Sequence, residues 1–182
     1  MNKIIAIVGM CGSGKSVACE YYEKLGFKKI YFGGVTMEKV KEAGLEVNEK
    51  NERMIREKLR KEYGMGAYAI ILLPRIEEYA KEGNVILDGL YSWDELKILK
   101  EKFKDNLVVL SIVVNKEYRY KRLKEREIRP LSNIEAEERD ISEIENLAKG
   151  GPIVFADYYI LNNGNLEEYN KALEEVTKEI MK

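Results

Sequence analysis

The chain contains no histidine among its 182 residues. Without imidazole there is no Ser-His-Asp or Cys-His nucleophile, a zinc site lacks its usual donors, and proton transfer falls to carboxylate, lysine, tyrosine or water. Cysteine is almost as scarce. Cys11 and Cys19 form neither a disulfide framework nor a Cys-x-x-Cys motif, so both read as reduced thiols of a cytoplasmic protein. Excess charge of one sign is missing too: 31 Lys and Arg against 32 Asp and Glu leave a formal net charge of -1, which gives no reason to expect nucleic acid as a partner. No apolar run approaches the length of a membrane span, and the first apolar stretch follows only Met1-Asn2-Lys3, too short a lead for a signal peptide. The length suits one α/β domain with a full-sized core.

Glycine is present where it counts. The run Ile4-Ile5-Ala6-Ile7-Val8 leads into Gly9-Met10-Cys11-Gly12-Ser13-Gly14-Lys15-Ser16, followed by the helix-like Val17-Ala18-Cys19-Glu20. This is the spacing of a P-loop between a strand and a helix. Backbone N–H groups of such a turn, together with the positive end of the next helix, make an anion cradle. Gly9, Gly12, Ser13, Gly14, Lys15, Ser16 and Val17 are therefore candidate ATP contacts. Lys15 is placed on the β and γ phosphates, and the Ser16 hydroxyl is a ligand for Mg2+.

Further along, Lys28-Lys29-Ile30-Tyr31-Phe32 reads as a second strand. Gly33-Gly34 then breaks the chain, either as a close approach to a ligand or as a flexible turn. Residues 48 to 63 form a helical pattern with Arg53, Arg56 and Arg60 on one face. That stripe is either a solvated surface neutralised by Glu52 and Glu57 or a clamp for an acceptor's phosphate. A second helix spans residues 67 to 82, with a kink or interruption expected near Leu73 because of Pro74. Val85-Ile86-Leu87-Asp88 is a buried strand ending in a carboxylate, the place for a Mg2+ partner downstream of a P-loop. Ser92 and Glu95 have capping-box spacing and open a helix to about residue 103. Leu107 to Val114 is the fourth strand. Asn115-Lys116-Glu117-Tyr118 after it has Tyr where a guanine-reading motif needs Asp, which argues against a GTPase switch.

The segment from Arg119 to Pro130 is densely basic. Arg119, Arg122 and Arg126 share a helical face and are expected to converge on one anion, either as a lid closing on the transferring phosphoryl group or as a merely solvated helix. Residues 133 to 148 form an acidic helix, containing Arg139, that Gly150-Gly151-Pro152 ends. Asp157 to Gly164 is a fifth strand and turn, and a terminal helix starts at Leu166.

In this order of elements the chain resembles the P-loop nucleoside monophosphate kinase superfamily, and within it the archaeal adenylate-kinase-related and dephospho-CoA kinase-like proteins. The P-loop and the run Ala156-Asp157-Tyr158-Tyr159-Ile160-Leu161-Asn162-Asn163-Gly164 carry the resemblance. It implies a P-loop NTPase α/β/α fold with a five-stranded parallel sheet in the order 2-3-1-4-5. It also implies mobile acceptor-side helices over about residues 34 to 82 and a lid over about residues 119 to 140. Lys15, Asp88, Arg122 and Arg126 would be catalytic, Ser16 and Asp88 would organise Mg2+, and Asn162 and Gly164 would lie near the adenine. Gly34, Arg53, Arg60 and Arg139 are the candidate acceptor contacts. Two positions depart from the pattern: Gly34 stands where relatives place Asp, and Tyr91 lies where adenylate kinases place Arg.

The expected activity is Mg·ATP-dependent phosphoryl transfer to a small phosphate acceptor, with a nucleoside monophosphate ranked above dephospho-CoA. A phosphate oxygen is already anionic and does not miss a base at Gly34, whereas a hydroxyl would. The rival is a non-catalytic ATP-binding module whose lid a partner reads. Monomer and homodimer remain open.

Overall fold

A computed structural model describes residues 2–182. Strand β1 (Ile4–Val8) is buried at every position, as a central parallel strand covered on both faces must be. Its side chains alternate: Ile4, Ala6 and Val8 enter one hydrophobic cluster, while Ile5 and Ile7 enter another. The two clusters lie on opposite faces of one sheet, which gives three layers.

The chain continues through α1 (Lys15–Lys24), β2 (Lys28–Tyr31), α2 (Phe32–Glu42), α3 (Glu49–Tyr63), α4 (Ala67–Glu82) and β3 (Val85–Asp88). There follow α5 (Trp93–Phe103), a single 3-10 turn, β4 (Leu107–Val113), α6 (Lys116–Glu125), α7 (Asn133–Leu147), α8 (Gly150–Val154), β5 (Tyr158–Leu161) and α9 (Leu166–Ile180). The five strands are ordered β2-β3-β1-β4-β5 and all pair in parallel, as the resemblance implies. Helices α2, α4 and α5 supply the first cluster, with Val40, Leu72 and Leu99; α1 and α9 supply the second, with Tyr22 and Leu173.

The strand register places the site. Ile7 of β1 is level with Asp88 of β3, and Asp88 is level with Tyr31 of β2, so the P-loop, Asp88 and the start of α2 leave the sheet along one edge. On the far side Asp157 fixes β5 from both ends of its residue. Its carboxylate accepts from the Val109 amide at 2.7 Å, and its own amide donates to the Val109 carbonyl at 2.9 Å.

Several local expectations change. Strand β2 stops at Tyr31, and Gly33 and Gly34 form the first turn of α2 instead of a break. A Cβ on Gly33 would stand 2.4 Å from the end of the Tyr31 ring, which rests over the glycine. Pro74 lies inside α4 without interrupting it. Gly150-Gly151-Pro152 does not merely end the acidic helix, which stops at Leu147, but begins α8. The Ser92–Glu95 capping box forms as expected, and equivalent boxes open α7 at Ser132 and α9 at Asn165. No helix among the described residues is long and apolar enough to cross a membrane.

Candidate functional site

The glycine-rich loop takes its shape from groups that hold its carbonyls. Met10 O accepts from Ser13 N at 3.2 Å and from Lys15 Nζ at 3.0 Å; Cys11 O accepts from Arg119 Nη1 at 3.0 Å. Ser13 O accepts from Asn162 Nδ2 at 2.9 Å, and Gly14 O from the Tyr169 hydroxyl at 3.1 Å. With these carbonyls occupied, the amides other than that of Ser13 are the groups the loop has left to offer an anion. Gly14 has φ +95°, and a Cβ there would meet Asn162 Nδ2 at 2.7 Å; at Gly9, φ +147°, it would meet the Ile112 carbonyl at 2.5 Å. Both positions require glycine by backbone angle and by space.

Lys15 and Ser16 begin α1, where the helix dipole is positive. Ser16 is exposed and Val17 is half-buried against the α1–α9 cluster. Burial, helped by repulsion from the Lys149 ammonium, pulls the Lys15 amine down to about 8. The Ser13 hydroxyl is buried in the loop without a hydrogen-bond partner, an unused polar group in the cradle wall. Asp88 is half-buried at the end of β3, with Lys29 Nζ 3.7 Å from its carboxylate. The residues present fit a phosphate chain with Mg2+: an amide cradle, an ammonium, and the Ser16 and Asp88 oxygens. Two protein oxygens suit an ion whose remaining ligands are phosphate and water.

A cleft of about 750 Å³ opens at the end of β2 and the start of α2, with α3 and α7 supplying further walls. Arg53, Arg60 and Arg139 of the expected acceptor contacts line it, joined by Arg56 and Arg129; Gly34 does not, and its neighbour Gly33 does. These arginines are not equivalent. Arg53 is 73% exposed and bonds Glu57 at 2.9 Å, and Arg56 is held by Glu49 at 2.6 Å and Glu52 at 3.4 Å, the solvated reading of the stripe. Arg60 is half-buried and, among the described residues, finds no hydrogen-bond or ion-pair partner. Tyr31, Tyr68 and Tyr91 add aromatic wall, and Tyr68 shares a 2.7 Å hydrogen bond with Thr36.

The basic face expected at residues 119 to 126 does not converge. Arg119 is 7% exposed and forms a bidentate pair with Asp140, at 3.0 and 2.6 Å. Arg122 donates one nitrogen to Asn162 O at 3.0 Å and has its other terminal nitrogen buried without a partner. Helix α6 ends at Glu125, so Arg126 leaves the shared face and donates to Arg129 O at 2.6 Å. Of the expected adenine contacts, Asn162 is buried behind the P-loop, and Gly164 lies in the turn before α9, where Glu168 leaves no room for a Cβ.

Three residues at the border between loop and cleft were not singled out for the site in the sequence: Glu143, Lys149 and, as a contact, Tyr91. Lys149 is 1% exposed, bonds Glu143 at 2.6 Å, and sets its ammonium 4.6 Å from the Tyr91 ring centre. The only local signal was a lysine directly ahead of Gly150-Gly151-Pro152.

The comparisons with known proteins bear on family and fold. A family model described as an AAA domain matches residues 5–155. The chain is 32% identical over 182 residues to a UPF0200 protein of Thermococcus kodakarensis, covering 98% of each. Among solved structures it is similar to TT1252 from Thermus thermophilus, with a TM-score of 0.68 at 20% identity over 98% of this chain and 97% of that one. Dephospho-CoA kinase from Campylobacter jejuni gives a TM-score of 0.62 at 19% identity over 99% and 98%. At these identities the structural likeness is one of fold.

Proposed function

The chain belongs to the UPF0200 family of AAA-domain, P-loop kinase-like proteins, and from that premise we propose that it transfers the γ-phosphoryl group of Mg·ATP to a nucleoside monophosphate. The observation that carries this reading is Arg60, a half-buried guanidinium with no hydrogen-bond or ion-pair partner among the described residues, in the wall of a large cleft. Guanidinium matches phosphate oxygens in a two-pronged geometry, and the tyrosines beside it offer flat surface for a base.

In the reaction the bond between the γ-phosphorus and the β–γ bridging oxygen breaks, its electron pair stays on the departing ADP, and an acceptor phosphate oxygen forms the new bond. That oxygen is already ionised near neutral pH, so no base is needed; neither histidine nor a carboxylate at Gly34 is missed. The loop amides and Lys15 hold the phosphate tail, and Arg60 with Arg139 holds the acceptor. Bound Mg2+ would neutralise phosphate charge, with Ser16 and Asp88 as its protein ligands. Positioning and charge neutralisation supply the acceleration.

The fold likeness to dephospho-CoA kinase keeps a hydroxyl acceptor as the second reading. Purified protein with Mg·ATP, a panel of nucleoside monophosphates and dephospho-CoA, in an ADP-release assay, tests both. Turnover that depends on one monophosphate and disappears in Lys15→Ala supports the proposal; turnover with dephospho-CoA alone replaces it. Tight ATP binding with no acceptor-dependent turnover makes the protein a nucleotide-binding module instead.

A further inference from the structure

Lys149 is, among the described residues, the one buried lysine. A buried ammonium is costly, and a buried lysine–glutamate pair is commonly no more stable than apolar side chains of the same volume. Its location gives the charge a use. Arg119 ties the Cys11 carbonyl of the P-loop to Asp140 of α7. Glu143 lies three residues beyond Asp140, so one helical turn separates the loop's anchor from the carboxylate that holds Lys149. From the other side the ammonium rests on Tyr91, three residues after Asp88. Glu143 and Tyr91 both line the acceptor cleft. Lys149 is thus bracketed by the P-loop anchor, the segment following Asp88 and the cleft wall, where donor and acceptor phosphates would meet.

We infer that Lys149 is a second phosphate-binding ammonium, which contacts the terminal phosphoryl group of the bound triphosphate together with Lys15, and that Glu143 with the Tyr91 ring positions it. The geometry supports this: the Lys149 ammonium is fixed 2.6 Å from Glu143 and 4.6 Å from the Tyr91 ring centre, and both of those residues line the cleft. Glu143 also bonds Arg139 at 3.3 Å, so the same carboxylate steadies one cation towards the donor and one towards the acceptor.

This inference rests on the P-loop kinase reading, and its test is made independent of turnover. Affinities for Mg·ADP and for Mg2+ with a non-hydrolysable ATP analogue are measured by calorimetry on the wild type, Lys149→Met, Lys149→Arg and the double variant Lys149→Met/Glu143→Gln. Loss of one charge-assisted contact to the terminal phosphate weakens the triphosphate analogue by about ten-fold or more while ADP is unchanged, and Lys149→Arg recovers part of the loss. The double variant removes both buried charges and keeps the measurement available should Lys149→Met unfold. Variants with the wild-type ratio of the two affinities overturn the inference. A wild type that binds the analogue through Lys149 but turns over no acceptor defeats the kinase reading alone; one that binds neither nucleotide defeats both.

Discussion

The Arg119–Asp140 pair makes a demanding test of how the P-loop is held. Asp140→Asn keeps the shape of the side chain and removes its charge. Arg119 is 7% exposed, so its guanidinium is left buried with a neutral partner. Breaking one side of such a pair costs about 3–5 kcal/mol, and here the Tyr120 hydroxyl, 3.2 Å from the same carboxylate, also loses a charged acceptor. Because Arg119 donates to Cys11 O as well, a displaced guanidinium loosens the loop, and nucleotide affinity falls by about ten-fold, the equivalent of one hydrogen bond. Urea denaturation reads the first effect and calorimetry with Mg·ADP the second. The double variant Arg119→Met/Asp140→Leu separates them: stability returns to within about 1 kcal/mol of the wild type because no charge is stranded, while affinity stays low because Cys11 O has lost its donor. If Asp140→Asn changes stability by less than about 0.5 kcal/mol and leaves binding intact, the idea that this pair braces the loop is refuted.

Three further outcomes follow from the geometry. Gly14→Ala forces an L side chain to φ +95° and into Asn162, at a cost of about 1–2 kcal/mol in backbone strain before any clash, and nucleotide-dependent thermal stabilisation is lost in a melting assay. Arg60→Ala raises the acceptor KM by about ten-fold or more without changing ATP affinity, whereas Arg53→Ala, exposed and paired with Glu57, leaves both unchanged; equal effects from the two substitutions would remove Arg60 from the acceptor site. Burial pushes the Glu95 carboxyl from 4.5 up to about 7, against the hydrogen bonds from the Ser92 and Tyr91 backbone. The folded state thus keeps a proton that the unfolded chain gives up, and stability is lost as pH rises through that window; denaturation curves of Glu95→Gln and wild type should diverge by about 2.5 kcal/mol between pH 5 and pH 8, and parallel curves would contradict it.

The parts of this molecule legible in its sequence are those fixed by neighbours along the chain. The P-loop spacing, the all-apolar β1, the terminal Asp88 of β3 and the Ser92–Glu95 capping box are local patterns, and each appears where expected. What depends on partners far away was not readable. Arg119, Arg122 and Arg126 have equivalent helical spacing, yet Asp140 claims the first, the Asn162 carbonyl the second, and the end of α6 removes the third. Gly33 and Gly34 look like a hinge because glycine is a poor helix former. They form the first turn of α2, with the Tyr31 ring, two residues earlier, lying over Gly33. Lys149 carried no signal beyond its place ahead of Gly150-Gly151-Pro152, since its setting comes from burial and from Glu143.

The struts behind the phosphate cradle also bear on how the protein matures. The recognition motif ends at Ser16, but the groups that turn its carbonyls away are Arg119, Asn162 and Tyr169, all made later in synthesis. An amino-terminal fragment bearing every letter of the motif therefore lacks the means to present it. A product ending before α9 would carry the signature without the Tyr169 hydroxyl that holds the Gly14 carbonyl.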